Sequence, residues 1–490
     1  MRWVSTVLQS AVSGLLLASV TGASPAHSPR GTPTLSERQS ADRYVFAHFM
    51  IGISTDRTSA ADYDADMQRA KALGIDAFAL NFGPDGDANY TQQLVYAYDS
   101  AASNDMKVFL SFDFNTGLWS TSDTTAVGAR IAAFGTRAGQ LMVDDKAFVS
   151  TFVGDALDVS ALRSAAGIDI FFAPNFNPGS SADFSLLDGA FSWYAWPTDG
   201  SNNPPSASST YLPTYADTDY TTKLGGDKTK YMAPVSPWFF THFGSEVSFG
   251  PKNWIFPSDL LWFSRWNEIL SLGSRFVEII TWNDYGESHY IGPLSSKHYD
   301  DGNSKWTNDM PHNGWADLAA PFIAAYKAGS TDVTPYITTE KLVYWFRPQP
   351  KGLDCAATDN VGSAPAGADQ AADAVFVVTL LTAAANLTVG SGGDATQTFS
   401  APAGAASFSV PLAVGTQAFS VSRGDQLVLG GSAPKQVSAE CVCGLYNFNA
   451  FVGTLPAGTP DALDADGLSR FTEGLKVSTC SPTPTLTAKK

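Results

Sequence analysis

Apolar and polar positions follow a repeating order along the first two thirds of the chain. Short apolar runs, rich in β-branched and aromatic residues as buried strands are, alternate with segments whose apolar residues recur at helical spacing. The runs predict strands at residues 44–50, 75–82, 107–112, 148–154, 168–173, 190–195, 231–235 and 276–281. Helices are predicted at residues 62–73, 92–103, 124–141, 159–166, near 185, more loosely at 211–223, and at 257–272 and 315–327. Eight strand–helix units over about 290 residues predict an α/β fold, a (β/α)8 TIM barrel over residues 43–335, in preference to an open doubly wound sheet.

The pattern changes after residue 335. Short β-prone runs at residues 342–346, 374–381, 406–410, 426–429 and 436–442 are separated by Gly, Ala, Ser and Pro. This spacing predicts a C-terminal β-sandwich accessory domain over residues 336–490. Such a domain either binds glycan or braces the barrel, and the scarcity of aromatic residues between residues 356 and 444 favours bracing.

The start of the chain predicts export. Residues 1–23 combine an early Arg2, an apolar stretch and small residues near the end, which is typical of a cleaved signal peptide. Residues 24–42, rich in Pro, Ser, Thr and Gly, are predicted to be an unstructured leader. Because no other stretch is long and apolar enough to cross a bilayer, we expect a secreted protein, extracellular or in a cell wall, without a membrane partner.

Four cysteines lie in the last third of the chain, namely Cys355, Cys441, Cys443 and Cys480. An even count in an exported protein predicts two disulfides. Cys441 and Cys443 would point the same way on a strand, so each is expected to pair outward, with Cys355 and Cys480 in an order that the sequence leaves open. The sequons at Asn89 and Asn386 are candidate glycosylation sites.

Charge and aromatic content narrow the class of ligand. The formal net charge is −17 and the sequence pI is near 4.6. Nucleic acid is therefore an improbable partner, because phosphate binding requires clustered Lys and Arg. With 12 Trp, 17 Tyr and 31 Phe, the chain suits a neutral polysaccharide, whose sugar rings present apolar faces to aromatic side chains.

The loop after the eighth predicted strand holds the strongest candidate chemistry. It carries Asp284 and Glu287 beside Trp282, Tyr285 and His289. Two carboxylates can divide the cleavage of a glycosidic bond between a general acid and a base or nucleophile, while aromatic faces hold the sugar. The structural alternative is a solvated loop after a core strand. We interpret Asp284 and Glu287 as a catalytic pair and the other three as substrate-binding residues.

The ends of the remaining predicted strands are also polar and aromatic, and in a barrel these ends surround the active site. The candidate substrate-binding residues there are His48, Asn81, Asp113, Asp155, Asn175, Trp193, Trp196, Trp238 and His242, with Asn177 nearby. Some of them could serve only as loop or core hydrogen-bonding residues. No H-x-x-x-H or H-E-x-x-H pair indicates zinc, no G-x-S-x-G indicates a serine esterase, and no G-x-G-x-x-G follows the first strand, so we predict neither metal nor cofactor.

Several long motifs resemble glycoside hydrolase family 71, the fungal α-1,3-glucanases or mutanases. They are VFAHFMIGIS, DYDADMQRAKALGIDAFALNFG, KVFLSFDF, MAPVSPWFFTHF, WIFPSDLLWFSRWNEI and FVEIITWNDYGESHYIGP, within residues 44–327. The resemblance implies a (β/α)8 barrel with a C-terminal β-sandwich and an inverting hydrolase of α-1,3-glucan. It also implies that Asp284 and Glu287 are the catalytic carboxylates, and it says little about residues 352–490.

We therefore expect a secreted, endo-acting α-1,3-glucanase that needs no cofactor. Two alternatives are a barrel glycosidase acting on another glucan linkage and a catalytically silent glycan-binding wall protein. An inverting mechanism requires the two carboxyl groups to lie roughly 6.5–9.5 Å apart, with room for water between them. Because Gly286 allows the loop to turn between them, we expect such a water-sized gap.

Overall fold

The structure, a computed structural model, describes residues 43–86, 89–206, 209–245, 247, 250–298, 301–359, 361–458 and 461. The predicted signal peptide and leader lie outside these residues. In the first two thirds of the described chain the strands are β1 (Tyr44–Met50), β2 (Ala77–Phe82), β3 (Lys107–Asp113), β4 (Met142–Val143), β5 (Lys146–Phe152), β6 (Ile170–Phe172), β7 (Ala190–Phe191), β8 (Tyr231–Val235), β9 (Phe240–Phe243), β10 (Lys252–Ile255) and β11 (Phe276–Ile279).

A curled, mainly parallel sheet forms the centre of this part. Its order is β4-β5-β3-β2-β1-β11-β8-β7, with β6 also paired to β5, and only the pairing of β4 with β5 is antiparallel. All eight predicted strands are present, in chain order around the sheet. Near its two ends, the Gly189 amide donates to the Phe172 carbonyl at 3.2 Å and the Phe191 amide donates to the Pro174 carbonyl at 2.9 Å. β9 and β10 form a separate antiparallel hairpin.

Helices follow most of the parallel strands. They are α1 (Asp64–Ala72), α2 (Tyr90–Ser103), α3 (Thr124–Phe134), α4 (Val159–Ala166), α5 (Pro213–Lys223), α6 (Leu261–Leu272), α7 (Ser304–Thr307) and α8 (Asn313–Lys327). Alternate residues of the strands face opposite layers. Phe46, Phe109, Phe148 and Phe276 share one apolar cluster, while Val45 belongs to the larger cluster that also contains helix residues. The parallel strands are thus buried on both faces, as their uninterrupted apolar runs predict.

The helix predicted at residues 124–141 is too long. It ends at Phe134, and β4 and the start of β5 follow as a tight hairpin. Asp144 and Asp145 at the hairpin turn have φ angles of 51° and 61°, the left-handed pair that a two-residue hairpin turn requires. A Cβ at Gly135 would come within 2.5 Å of Ile168, so close packing occurs where the helix ends.

The last third of the described chain is β-rich. Its strands are β12 (Lys341–Phe346), β13 (Ala374–Leu381), β14 (Ala385–Ser391), β15 (Gln397–Ala401), β16 (Gly404–Pro411), β17 (Gln417–Arg423), β18 (Gln426–Ser432) and β19 (Phe451–Leu455). They form two four-stranded sheets, β16-β13-β12-β19 and β15-β14-β17-β18. Side chains of both sheets, including Val377 and Val421, share one buried cluster, so the sheets pack face to face.

The strand predicted at residues 436–442 is wrong. Val437 makes only an isolated bridge with Gly415, and a short 3-10 helix occupies Val442–Gly444. Cys441, just before that helix, forms a disulfide with Cys355, one of the pairings that the sequence left open. The side chain of Cys443 and all of Cys480 lie outside the described part, and their pairing stays a prediction. Asn89 and Asn386 are both exposed. Among the described residues, every helix is too short or too polar to cross a membrane.

Candidate active site

The loop after β11 brings Asp284, Glu287 and His289 together. The Asp284 amide donates to Thr281 Oγ1 at 2.8 Å, and the Glu287 amide donates to Asp284 Oδ1 at 3.0 Å. Ser288 has a φ of 60°, an uncommon left-handed value for a residue other than glycine. These bonds fold the loop tightly, and the two carboxyl side chains remain 17% and 15% exposed.

The two carboxyl groups lie closer than the sequence predicts. His289 Nε2 lies 3.0 Å from Glu287 Oε2 and 3.8 Å from Asp284 Oδ2. One oxygen of each carboxyl group and this nitrogen lie within 4.8 Å of one another. At their closest approach the carboxyl groups therefore lack the expected water-sized gap, because an imidazole that contacts both draws them together.

Lys252, which the sequence reading missed, is part of this cluster. It begins β10, and its Nζ lies 2.8 Å from Glu287 Oε1. A single lysine in a polar stretch carries no sequence signal, and its place beside Glu287 depends on the pairing of β10 with β9. Asp284, Glu287 and His289 offer donor atoms at cation-binding distances, but the Lys252 ammonium already supplies a positive charge to Glu287.

The surroundings shift the pKa values of the two carboxyl groups in opposite directions. Burial raises the pKa of Glu287, but Lys252 and His289 outweigh it and lower the pKa to about 2. Burial, and then the Glu287 charge, raise the pKa of Asp284. The two pKa values are therefore shifted in opposite directions, which is the kind of separation that acid–base cleavage of a glycosidic bond by two carboxyl groups uses.

Four side chains on β1, β2, β3 and β11 form a polar network within range of the Lys252 charge. His48 Nδ1 lies 2.7 Å from Glu278 Oε1, and both side chains are buried. Burial raises the pKa of Asp113. This rise is opposed by a hydrogen bond from Asn81 and by the charges of His48 and Lys252. The predicted His48, Asn81 and Asp113 therefore belong to one network with Glu278, which the sequence does not predict, and Asp113 links this network electrostatically to Lys252.

A 180 Å³ cavity adjoins this cluster at the ends of β5, β6 and β7. Trp193 lines the cavity, and its ring lies 4.8 Å from that of His48 and 6.4 Å from that of His289. The other lining residues include the predicted Asp155, Asn175, Asn177 and Trp196, and also Tyr194 and Tyr220, which were not predicted. Trp196 is 1% exposed, and its indole donates to the Trp238 carbonyl at 2.7 Å, so it forms a wall of the cavity.

Two residues of this cavity have structural hydrogen bonds. Asp155 Oδ1 accepts from the Asn177 amide at 2.5 Å, and Asn175 donates to the Phe191 carbonyl at 3.0 Å. Val153, between them and β5, has a φ of 49°, a strained value for a β-branched residue. These contacts fix the shape of the cavity wall and place Asp155 and Asn175 at the predicted position.

Four predicted substrate-binding residues are instead buried and bonded elsewhere, so the structure corrects their expected role. Trp238 donates to the Phe448 carbonyl at 2.9 Å, and Tyr285 donates to the Pro293 carbonyl at 2.7 Å. Trp282 donates to Asp66 at 2.9 Å, and His242 contacts Asp359 at 2.7 Å. Each ring is at most 1% exposed and has no face open to a sugar. Their positions after predicted strands favoured a role in binding, but in the structure these side chains are buried and hydrogen-bonded within the fold.

The profile of glycosyl hydrolase family 71 matches residues 41–464. A mutanase of Penicillium rubens is 44% identical over 423 residues, 86% of this chain and 90% of the relative. A glucan endo-1,3-α-glucosidase of Schizosaccharomyces pombe is 37% identical over 85% of this chain and 95% of the relative. An endo-α-mannosidase structure from Bacteroides thetaiotaomicron has a TM-score of 0.42 and 9% identity, covering 58% of this chain and 98% of that one, a likeness too small to bear on the chemistry.

Proposed function

Since the chain belongs to glycosyl hydrolase family 71, we propose that it hydrolyses the α-1,3-glucosidic bonds of α-1,3-glucan, as an endo-acting enzyme without a cofactor. The names of its relatives support the substrate, because both are α-1,3-glucan hydrolases by name or by the mutanase designation. The observation that carries the proposal is the pairing of Asp284 with Glu287 on one loop, with pKa values shifted in opposite directions, beside an aromatic cavity.

Each of the two carboxyl groups transfers one proton in the proposed reaction. One carboxyl group donates its proton to the oxygen that leaves with the departing glucan, and the other takes a proton from the attacking water. Water forms the new bond to the anomeric carbon, so atoms and charge balance without an external reagent. Inversion requires the Asp284 and Glu287 carboxyl groups to be roughly 6.5–9.5 Å apart, and we propose that entry of the glucan chain separates them.

Sugar binding is proposed for the wall around Trp193. Its partly buried ring offers an apolar face to a pyranose, and Asp155 and Asn175 lie in the same cavity. Its volume of 180 Å³ suits a single sugar ring. Asn81 and Asp113 are proposed to bind hydroxyl groups nearer to the reacting bond, because they are buried polar side chains beside the carboxylate pair.

Release of reducing sugar from insoluble α-1,3-glucan tests the function. We expect Asp284→Asn and Glu287→Gln to lower turnover by several orders of magnitude while both proteins still fold and bind glucan. Asp99→Asn and Glu268→Gln, which alter half-exposed carboxylates of the same types on α2 and α6, serve as matched controls and should retain activity. Near-normal activity of either catalytic variant would reject the assignment.

A substrate panel separates the alternatives. Cleavage of β-linked or α-1,4-linked glucan in preference to α-1,3-glucan would indicate a different glycosidase, and binding without release of sugar would indicate a silent wall protein. Proton NMR of the first product tests the stereochemistry. We expect the β-anomer from an inverting enzyme, and an initial α-anomer would mean that the carboxyl groups act at the shorter spacing of a retaining mechanism.

The same proposal includes the architecture and the destination of the protein. The two hydrogen bonds between the segments at β6 and β7 support closure of the curled sheet into a (β/α)8 barrel over residues 43–335. The shared core of the two later sheets supports a sandwich domain over residues 336–490. The disulfide supports export, and N-terminal sequencing of protein from the culture medium would test cleavage after residue 23.

A further inference from the structure

The β9–β10 hairpin holds Glu287 at two points. Lys252 Nζ lies 2.8 Å from Glu287 Oε1, and the Phe240 amide donates to the Glu287 carbonyl at 3.0 Å. In the hairpin, Lys252 pairs with Phe243 and the next residue, Asn253, pairs with His242. The position of the hairpin therefore sets where the ammonium group lies relative to the carboxylate pair.

Asp359 and Ala366 hold the other side of the hairpin. His242 Nε2 lies 2.7 Å from Asp359 Oδ2 and His242 Nδ1 lies 2.8 Å from Asn253 Oδ1, with the His242 and Asp359 side chains fully buried. The Ile255 amide donates to the Ala366 carbonyl at 2.9 Å, and the Ala366 amide donates to the Asn253 carbonyl at 3.0 Å. His242 thus joins two chain segments that are more than 100 residues apart.

Asp359 is fixed in turn by the C-terminal part of the chain. The Tyr446 amide donates to Asp359 Oδ2 at 2.7 Å, and the Asp359 amide donates to the Cys355 carbonyl at 2.9 Å. Cys355 is bonded covalently to Cys441. A continuous set of contacts therefore runs from the disulfide through Asp359 and the hairpin to the active-site loop.

We propose that Asp359 is a positioning residue for the hydrolytic reaction, acting through His242 to keep the Lys252 ammonium on Glu287. The inference rests on the proposed catalytic role of Glu287. It gives the region after residue 336 an influence on the active site, because without Asp359 the His242 side chain loses its buried partner.

The proposal predicts the direction of a pH effect. The charged or titratable groups around Lys252 are Glu287, Asp284 and Asp301, with Asp113, His48 and His289 nearby. Lys252 acts to lower the pKa of Glu287, Asp284 and Asp113. Removal or displacement of this cation raises all three pKa values, so the whole pH–activity profile should move to higher pH.

The first test compares Lys252→Met with Lys252→Arg on α-1,3-glucan. A neighbouring cation typically lowers a carboxyl pKa by about 1–3 units, so we expect Lys252→Met to move the profile to higher pH by about one unit. Lys252→Arg keeps the charge and should retain the wild-type profile. If Glu287→Gln is inactive but Lys252→Met leaves the profile unchanged, the inference is wrong while the proposed function stands. If Glu287→Gln is active, the proposed function itself fails.

The second test asks whether Asp359 acts through Lys252. Asp359→Asn should move the profile in the same direction by a smaller amount, and His242→Gln, as a second variant, should do the same. The double variant Lys252→Met/Asp359→Asn should have the same pH profile as Lys252→Met alone. Once Lys252 is replaced by Met, displacement of the hairpin no longer moves a positive charge away from Glu287. Additive shifts, or a lower melting temperature of Asp359→Asn without a shift, would overturn the proposal.

Asp373→Asn is the matched control for this test. Asp373 pairs with the buried Arg347 in the same C-terminal part of the chain. It is not one of the residues that join the disulfide to the β9–β10 hairpin. The variant should lower the melting temperature and leave the pH profile unchanged. A profile that moves equally in Asp373→Asn would mean that general loosening of this region, and not Asp359, accounts for the effect.

Discussion

A buried ion pair beneath the active-site loop provides a sharp test of the structure. Asp66 of α1 accepts hydrogen bonds from Arg57 at 2.8 Å, from Ser296 at 2.8 Å and from the Trp282 indole at 2.9 Å. Arg57 and Asp66 are each 2% exposed, and the guanidinium also lies 4.2 Å above the Tyr63 ring. The substitution to make is Asp66→Ala, which removes the carboxylate that pairs with this guanidinium at 2.8 Å.

The expected cost follows from burial. Three charge-assisted hydrogen bonds at about 1.5–3 kcal/mol each would sum to about 4.5–9 kcal/mol, but loss of the desolvated carboxylate offsets part of this sum. Breaking a buried ion pair on one side typically costs about 3–5 kcal/mol, because an uncompensated charge remains. We therefore expect Asp66→Ala to lower the free energy of unfolding by about 3–5 kcal/mol, a large share of a typical total of about 5–15 kcal/mol.

Urea unfolding, followed by tryptophan fluorescence and circular dichroism, measures this cost. Arg57→Met in the Asp66→Ala background should recover part of the loss, because it removes the stranded cation. Asp99→Asn, which alters a half-exposed pair with Arg137, should cost less than about 1 kcal/mol. A cost for Asp66→Ala as small as that of Asp99→Asn, or no recovery in the double variant, would refute the buried, charged character of the pair.

Three other changes have expected outcomes. Lys252 and His289 outweigh the effect of burial and lower the pKa of Glu287 from 4.5 to about 2. The Glu287 carboxylate therefore stabilises the fold above about pH 4.5, and this contribution is lost as the pH falls towards 2. In urea unfolding, the difference in stability between wild type and Lys252→Met should shrink over that pH window. Trp193→Ala should raise KM for glucan more than Trp193→Phe, which keeps an aromatic face. The double substitution of Cys355 and Cys441 by Ser opens a link with a sequence separation of 86 and should cost up to about 4–5 kcal/mol in non-reducing urea unfolding.

Much of the fold could be predicted because its signals are local. Each parallel strand is buried on both faces, so each appears in the sequence as an uninterrupted apolar run, and β8 was predicted to the residue. The strands that were missed, such as β14 and β17, alternate buried and half-buried or exposed residues over short lengths. That weaker pattern is hard to separate from the Gly- and Ser-rich turns around it. The helix predicted through residue 141 is too long because the hairpin that follows it turns on only two residues, Asp144 and Asp145, which give a weak signal in the sequence.

The candidate site was predictable where chemistry and strand ends coincide. Asp284, Glu287 and His289 share one loop, and His48, Asn81 and Asp113 follow the rule that strand ends surround the site. The same rule wrongly placed Trp238 and His242 at the site. Trp238 is hydrogen-bonded to Phe448 and His242 to Asp359. Both partners belong to the last third of the chain, whose contacts with the first two thirds have no sequence signature. Lys252 was missed for the same reason, since its role depends on a hairpin folding back onto a loop 35 residues later.

The close approach of the two carboxyl groups follows from this long-range placement. Two carboxylates alone would repel, and a flexible D-x-x-E loop with Gly286 would relieve the repulsion by opening. His289 and Lys252 make the short distance favourable, because each brings donors to Glu287 and Lys252 brings a full positive charge. The space that a water needs between the carboxyl groups is therefore controlled by the hairpin as well as by the loop. A glucan hydroxyl that competed for Lys252 would loosen Glu287 at the moment of binding, which links substrate entry to the geometry that hydrolysis requires.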